Sequence, residues 1–333
     1  MTKEIDVCIV GATGLVGQTM LEVLAEYDFP INRLKLCASQ RSAGQVCIFK
    51  GKSYTVEALT EESFTGYQLA LFSAGAEISK QYAPLAVAAG LLVIDNSSAW
   101  REDTQIPLVV PEVNIKDAWQ NTLIANPNCS TIQSVVPLKA LQDSFGLERV
   151  NYTTYQAVSG SGQQGVEELR RTQNGGRAEV YPYAISETAI PEIDRPMANG
   201  YTKEEHKMIV ETKKILHQPN LPVSATCVRI PVERGHAVAL SVTLTQSFEL
   251  EDVKDVFENF PGIEVVDNLT AHQYPTSQLA KGNDTVYVGR IRRDTAMPNS
   301  LLFYTTADNI RKGAAGNAVQ IAQALLEQRK EVG

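Results

Sequence analysis

The chain has 333 residues, of which 44% are hydrophobic and 20% charged, and its formal net charge is −8. That length favours two domains, and the composition is that of packed soluble cores, which excludes a disordered chain. The acidic balance argues against a nucleic-acid or anionic-membrane surface, so an anionic ligand must be met by a few placed cations. The stretch Met1 to Ile5 enters a strand directly, with no basic segment followed by an apolar signal core, so no leader is expected. The longest near-apolar run, Ala83 to Ile94, contains Pro84 and Gly90 and is too short to span a bilayer. Five cysteines (Cys8, Cys37, Cys47, Cys129, Cys227) stand at irregular spacing without a CxxC pair. They read as reduced thiols of a cytoplasmic protein with no metal signature.

In chain order, Ile5 to Val10 reads as a strand, Leu15 to Glu26 as a helix and Arg33 to Ala38 as a second strand. Leu69 to Ser73 follows as a strand, Ile78 to Ala89 as a helix, Leu91 to Asp95 as a strand and Thr122 to Ala125 as another. This alternation predicts an α/β fold, a Rossmann-type doubly wound parallel sheet. After a helix over Ser130 to Leu141 the pattern changes. Asn151 to Val158, Ala225 to Val232, Ala237 to Leu244, Thr285 to Arg292 and Leu301 to Thr306 read as longer strands with uneven connections. Helices are expected at Lys203 to Leu216 and Leu250 to Asn259, and Gly175 to Gly200 reads as an extended loop. The second domain is therefore α+β with a mixed sheet. A last amphipathic helix, Asn309 to Arg329, is expected to pack back on the first domain.

The turn Gly11-Ala12-Thr13-Gly14-Leu15-Val16-Gly17 sits between the first strand and the first helix, where a dinucleotide fingerprint belongs. Its GxxGxxG spacing is looser than GxGxxG, and a tight strand-helix turn is the alternative. Small residues there let a pyrophosphate approach the helix N-terminus. The second strand ends in Ala38-Ser39-Gln40-Arg41-Ser42, with no acid to bond ribose hydroxyls and an Arg available for a 2′-phosphate. That favours NADP, unless Arg41 is an ordinary exposed loop cation.

Asn126-Pro127-Asn128-Cys129-Ser130-Thr131 places a cysteine at a strand-to-helix junction. The free N–H groups and partial positive charge of a helix start favour thiolate, the form that attacks a carbonyl carbon. Packing is the bland alternative for any one cysteine. Asp95 to Arg101 leaves a strand's C-terminal end, where open α/β sheets bind ligands, and Arg101 could clamp a phosphate or be a surface residue. Gln156 to Gly162 ends another strand in glycine-rich geometry. Arg229 and His236 flank one strand-and-turn unit, and His236 is the best general acid/base candidate of four histidines. His206 and His217, in a charged helix, and His272, in a polar loop, read as solvated. Glu204 and Lys207 share a helix face, the usual setting of a weak surface ion pair.

Taken together, GATGLVG (Gly11 to Gly17), DNSSAWR (Asp95 to Arg101), NPNCSTIQ (Asn126 to Gln133), QAVSGSG (Gln156 to Gly162), VRIPVERGH (Val228 to His236) and DNIRKGAAGNA (Asp308 to Ala318) resemble the aspartate-β-semialdehyde dehydrogenase family, almost end to end and in order. The resemblance implies an NADP-binding domain over 1–128 and 308–333 and a catalytic and dimerisation domain over 129–307. It implies that Cys129 is the acyl-thioester nucleophile, His236 the acid/base and Gln156 the group that positions the substrate carbonyl. Arg229 would bind the substrate carboxylate and Glu204 its amino group, while Arg101, Asn128 and Lys207 hold the phosphate. Gly11, Thr13, Gly14, Leu15, Val16, Arg41, Ser42, Ser159, Gly160 and Asn309 would contact NADP. Thr188 departs from the Asn expected in many relatives. The implied reaction reduces L-aspartyl-4-phosphate to aspartate semialdehyde and phosphate in the lysine (diaminopimelate), threonine and methionine routes, by a cytoplasmic homodimer. Two rivals are reduction of N-acetyl-glutamyl phosphate, whose lack of a free amino group leaves Glu204 without purpose, and an NADP-binding sensor that has lost chemistry.

Overall fold

The computed structural model describes residues 4–332, with side chains to Gln328. Met1 to Lys3, part of the leader reading above, lie outside the described residues. The chain forms two compact units, Met1–Pro127 with Ala314–Gly333, and Asn128–Gly313. The return to the first unit thus falls six residues later than the 308 that the resemblance implies. Asp308 and Asn309 stay with the second unit, where Asp308 pairs with Arg234 and Asn309 accepts the Gly235 N–H.

The first unit holds β1 (Ile5–Val10), β2 (Ile31–Ala38), β5 (Glu57–Ala58), β6 (Leu69–Phe72), β7 (Leu92–Asp95) and β8 (Leu123–Ala125), preceded at β5 by a hairpin of β3 (Val46–Phe49) and β4 (Lys52–Thr55). The sheet runs β5-β2-β1-β6-β7-β8 with every pair parallel, so the winding reverses between β1 and β6. Strands buried on both faces read as continuous apolar runs because each face needs its own core. Val7, Ile9 and Leu36 pack with Met20 and Leu24 of α1 (Leu15–Glu26) and Val319 of the last helix, α9 (Gly316–Val332). Cys8, Val10 and Phe72 point the other way, onto Ala83 and Ala86 of α2 (Ala76–Ala88). A short helix, α3 (Pro111–Asn114), lies in the connection to β8. The final helix is broken at its start: Arg311–Ala315 forms a π-helical turn before α9 begins.

The second unit opens with α4 (Cys129–Phe145), which runs on past the predicted Leu141, and a ten-residue strand, β9 (Leu147–Gln156). Then come α5 (Gln163–Gln173), α6 (Lys203–Ile215), β10 (Val223–Arg229), β11 (His236–Leu244), α7 (Leu250–Glu258), β12 (Ile263–Val265), α8 (Ser277–Ala280), β13 (Val286–Arg293) and β14 (Ser300–Ala307). The sheet runs β10-β9-β11-β14-β13-β12 and is mixed: its end pairs are parallel and its middle three antiparallel. Strand alternation separates two unlike faces. Tyr152, Thr154 and Gln156 are buried on the helix side, where the Tyr152 hydroxyl meets Thr212 of α6 at 3.0 Å. Thr153 and Tyr155 on the other side are only half-buried. His217 falls just beyond α6, in a left-handed conformation, rather than within it. No described helix is long and apolar enough to cross a membrane.

Candidate functional site

In the first unit the glycine turn does what its position demands. Gly11 has a φ of +87°, and a Cβ there would stand 2.9 Å from the Ser73 carbonyl carbon. A Cβ on Gly17 would lie 2.3 Å from the Gly11 oxygen, so α1 can lie this close to the turn only with glycine there. The first intrahelical bond is Gln18 N–H to Gly14 O, which leaves the amides of Leu15, Val16 and Gly17 without intrahelical acceptors. Thr13 and Gly14 complete the turn. A cavity of about 310 Å³ opens over it, lined by Gly11, Ser39, Gln40, Leu59, Ala74 and Tyr82 among others, with no acidic residue in its wall. Arg41 and Ser42 follow in a single 3₁₀ turn at the end of β2, with Arg41 exposed. The glycine cradle and cavity fit a dinucleotide. Asp95 orders its own loop, accepting the Ser79 hydroxyl and both the N–H and hydroxyl of Ser97, and burial raises its pKa. Arg101 donates from Nη2 to the Asn96 carbonyl at 2.8 Å.

In the second unit Cys129 is the first residue of α4 and is half-buried. Asn128 caps the helix: its Oδ1 accepts from Ser130 N at 2.9 Å and Thr131 N at 3.3 Å. Its Nδ2 donates to Glu204 Oε1 at 2.8 Å and its backbone N–H to Glu211 Oε2 at 2.7 Å. Asn128 is therefore held through its side chain and its backbone by two carboxylates on α6. A Cβ on Gly313 would come within 2.9 Å of the Cys129 Cβ, so the middle of the π-helical turn passes the cysteine on a residue without a side chain.

Glu204 is the hub of the site rather than half of a surface pair. Its Oε1 takes Asn128 and Gln156 Nε2 (2.9 Å), and its Oε2 takes Lys207 Nζ at 3.1 Å. Burial works against its ionisation, but the Lys207 charge and the three donors prevail and bring its pKa down to about 2. A carboxylate has roughly four acceptor sites, so one is left for a further donor. Lys207 also reaches Asp194 at 2.7 Å; burial opposes its charge, yet Glu204 and Asp194 raise its pKa. Thr154 donates to Gln156 Oε1 at 2.9 Å, which fixes the orientation of that side-chain amide.

Beyond Gln156, one peptide holds the remaining pair. Ala157 N–H donates to His236 Nδ1 at 3.0 Å, and Ala157 O accepts from Arg229 Nη1 at 2.7 Å. His236 is 0% exposed; burial first and Arg229 second lower its pKa to about 3, against a smaller opposing pull from Glu204. His236 Nε2 and Arg229 Nε are buried with no partner among the described residues. Such orphans cost free energy unless a ligand meets them. The Nδ1 bond also bears on the acid/base role read from the sequence, because that nitrogen already serves as an acceptor. Ser159 and Asn309 bond each other at 3.0 Å, and Asn309 accepts the N–H of Gly235. Gly160 packs against both Arg229 and His236.

The second unit thus joins Asn128, Gln156 and Lys207 on Glu204, with Cys129 next in chain to Asn128 and with Arg229 and His236 on the peptide that follows Gln156, while Arg101, Arg41, Ser42 and the glycine turn belong to the first. Thr154, Asp194 and Glu211 escaped the sequence reading. Glu211 had a signal: it lies seven residues after Glu204, on the same helix face.

A doubly wound parallel sheet with a glycine turn, joined in one chain to a mixed-sheet unit with a cysteine at a helix start, defines an α/β oxidoreductase with a nicotinamide-dinucleotide domain. Family models agree: "Semialdehyde dehydrogenase, NAD binding domain" matches residues 6–121 and "Semialdehyde dehydrogenase, dimerisation domain" matches residues 138–312. Aspartate-semialdehyde dehydrogenase of Aquifex aeolicus (strain VF5) is 50% identical over 97% of this chain and 98% of its own length. The crystal structure of aspartate semialdehyde dehydrogenase II from Vibrio cholerae complexed with ASA superposes with a TM-score of 0.93 at 46% identity, over 98% of this chain and 99% of that one. The Candida albicans enzyme with NADP gives 0.79 at 26% identity, covering 97% and 98%. The chain belongs to the aspartate-semialdehyde dehydrogenase family.

Proposed function

We propose that the protein reduces L-aspartyl-4-phosphate to L-aspartate-4-semialdehyde and phosphate with NADPH, through a thioester on Cys129. The product serves the lysine (diaminopimelate), threonine and methionine routes, and the enzyme works in the cytoplasm. One observation carries the reading: a half-buried cysteine at a helix start follows Asn128, whose side chain meets the Glu204 that also binds Gln156 and Lys207, while the peptide after Gln156 holds Arg229 and His236.

The helix start favours the Cys129 thiolate. The thiolate attacks the C4 carbonyl; the C–O bond to phosphate breaks, and the departing phosphate takes the one proton the overall reaction consumes. Bound NADPH supplies the hydride. Cys129 then leaves the tetrahedral oxyanion as thiolate, releasing the aldehyde, so the cysteine ends as it began. The unmatched Arg229 Nε supports its role as the carboxylate reader, since a planar fork suits a carboxylate. Glu204 has one acceptor site left for the α-ammonium, and Gln156 keeps one N–H for the reacting carbonyl. Lys207, with Arg101 and Asn128, serves the phosphate. Gly11, Thr13, Gly14, Leu15 and Val16, with Arg41, Ser42, Ser159, Gly160 and Asn309, hold the cofactor. The acid-free wall beside Ser39 and Gln40 and the exposed Arg41 favour NADP over NAD.

The protein acts as a homodimer through the open face of the second sheet. Tyr155 and Tyr304 stand 6.2 Å apart there. Beside Tyr304, a cavity of about 620 Å³ includes Ala239, Tyr274 and Pro275 in its wall. A half-buried aromatic face of this kind is commonly closed by a two-fold partner.

Phosphate-dependent NADP reduction tests the reading, run with aspartate semialdehyde and with the N-acetyl-glutamate analogue. Turnover confined to aspartate semialdehyde is expected. Equal turnover with both would remove Glu204's role, and none with either would reject the reaction.

A further inference from the structure

We infer that Asp194 competes with the substrate phosphate for Lys207, and that this contest sets how tightly phosphate binds. The inference rests on the proposed phosphate role of Lys207 and assigns a part in it to a residue outside the proposed site.

The ammonium of Lys207 offers three N–H donors. Two go to carboxylates, Glu204 Oε2 at 3.1 Å and Asp194 Oδ2 at 2.7 Å. Burial opposes the Asp194 charge, but Lys207 and the Arg195 N–H prevail and lower its pKa. Both carboxylates are therefore ionised against a single ammonium, and one negative charge is left in excess. A phosphate approaching Lys207 meets attraction from one ion and repulsion from two. For Lys207 to serve that phosphate, one carboxylate must give way.

Glu204 is fixed in place. Its side chain is 6% exposed and its other oxygen holds Asn128 and Gln156, so its departure would strand two buried amides. Asp194 is free to yield. Its side chain is 36% exposed, and its other hydrogen bond is local, Oδ1 accepting the Arg195 N–H at 2.8 Å. The backbone that carries it is anchored on both sides. Ile190 exchanges two backbone hydrogen bonds with Arg229 at 2.9 and 2.8 Å, Ile193 is buried, and Arg195 O accepts the Lys203 N–H at 2.9 Å. Asp194 itself sits at a φ of +67°, a left-handed conformation that Asp and Asn tolerate. Its carboxylate can thus rotate off Lys207 toward solvent while the segment keeps its place. In the reductive direction phosphate is a product, so a carboxylate that competes for its cation favours its release.

Initial rates of the full-length enzyme in the phosphorylating direction test the inference, with aspartate semialdehyde and NADP saturating and inorganic phosphate varied. Asp194→Asn removes the charge while keeping the left-handed backbone and an oxygen for the Arg195 N–H. Its KM for phosphate should fall roughly threefold or more, with the KM for the semialdehyde unchanged, because a like charge beside the anion is gone. Asp194→Gly also suits that backbone and should behave alike. A raised phosphate KM would mean that Asp194 only steadies Lys207, and either that result or an unchanged KM overturns the inference. Thermal unfolding supplies a readout that needs no turnover. The gain in Tm on adding inorganic phosphate should be larger in Asp194→Asn than in wild type, and small in Lys207→Ala. Equal gains in wild type and Asp194→Asn also overturn the inference. If Lys207→Ala keeps the wild-type phosphate KM and Tm gain, the phosphate role of Lys207 falls and takes the inference with it. If Lys207→Ala loses phosphate dependence while Asp194→Asn does not tighten it, the inference falls alone.

Discussion

At the residue scale, His236 takes its hydrogen-bond partner from far along the chain. The turn Gly235-His236 before an apolar strand marks it in the sequence as an acid/base candidate, but not what holds its ring. That depends on a peptide 79 residues away in the chain. Its environment also sets a pH dependence. The folded ring stays neutral down to about 3, while the unfolded ring takes a proton near 6.5. Between those values the unfolded state binds the extra proton, so stability is complete above the window and falls as pH drops through it. At pH 5 the loss should be about 2 kcal/mol. Urea unfolding at pH 7 and pH 5 should show a smaller difference for His236→Gln than for wild type, and equal differences would contradict the assignment. Glu204, lowered from 4.5 to about 2, adds its own loss of stability only as pH falls through about 4.5, below the pH 5 comparison. On the proposed reading, Arg229 takes the substrate carboxylate and Lys207 the phosphate. Arg229→Lys keeps the charge and loses the fork, so KM for the semialdehyde should rise roughly tenfold or more while phosphate dependence stays near wild type. Lys207→Ala should weaken phosphate dependence, and identical defects in both would erase the division.

At the element scale, α6 carries more of the site than its sequence suggests. Glu204, Glu205, Lys207 and Glu211 look like a solvated charged helix, since period and composition cannot say that a carboxylate has three donors waiting. In the fold Glu205 closes a capping box with Thr202 and accepts Cys227 N–H at 3.1 Å, and Glu211 tethers Asn128. The β3–β4 hairpin escaped for a different reason: its turn is Lys50-Gly51, both at positive φ, where Asn-Gly or Asp-Gly would have marked it. The polar α5 has little apolar periodicity beyond Val166 and Leu169, and its cap is a glycine. The parallel strands were legible because they are buried on both faces and so continuously apolar. At the end of β2, Arg41→Ala should lower kcat/KM for NADP roughly ten- to hundredfold by removing one charge-assisted phosphate contact, and leave NAD nearly unchanged. A wild-type enzyme that prefers NAD would refute the reading of that strand end.

For the whole molecule, the two-unit plan was readable from the switch in strand length and connection after Cys129, whereas the point of return was not. Asp308 and Asn309 lie in a motif that reads as the start of the last helix, yet their side chains are used by Arg234, Gly282, Gly235 and Ser159 of the second unit. The open sheet face predicts a dimer: light scattering at micromolar concentration should give about twice the mass of one chain. A monomer that stays fully active on dilution would reject that assembly. The central claim is the covalent step at Cys129, and intact-mass spectrometry reads it directly. With aspartate semialdehyde and NADP but no phosphate, wild type should gain the mass of one aspartyl group, mapped by digestion to Cys129 and lost when phosphate is added, while Cys129→Ser gains nothing and retains NADP binding within a few-fold. An adduct on another residue, or substantial turnover by Cys129→Ser, would contradict the account.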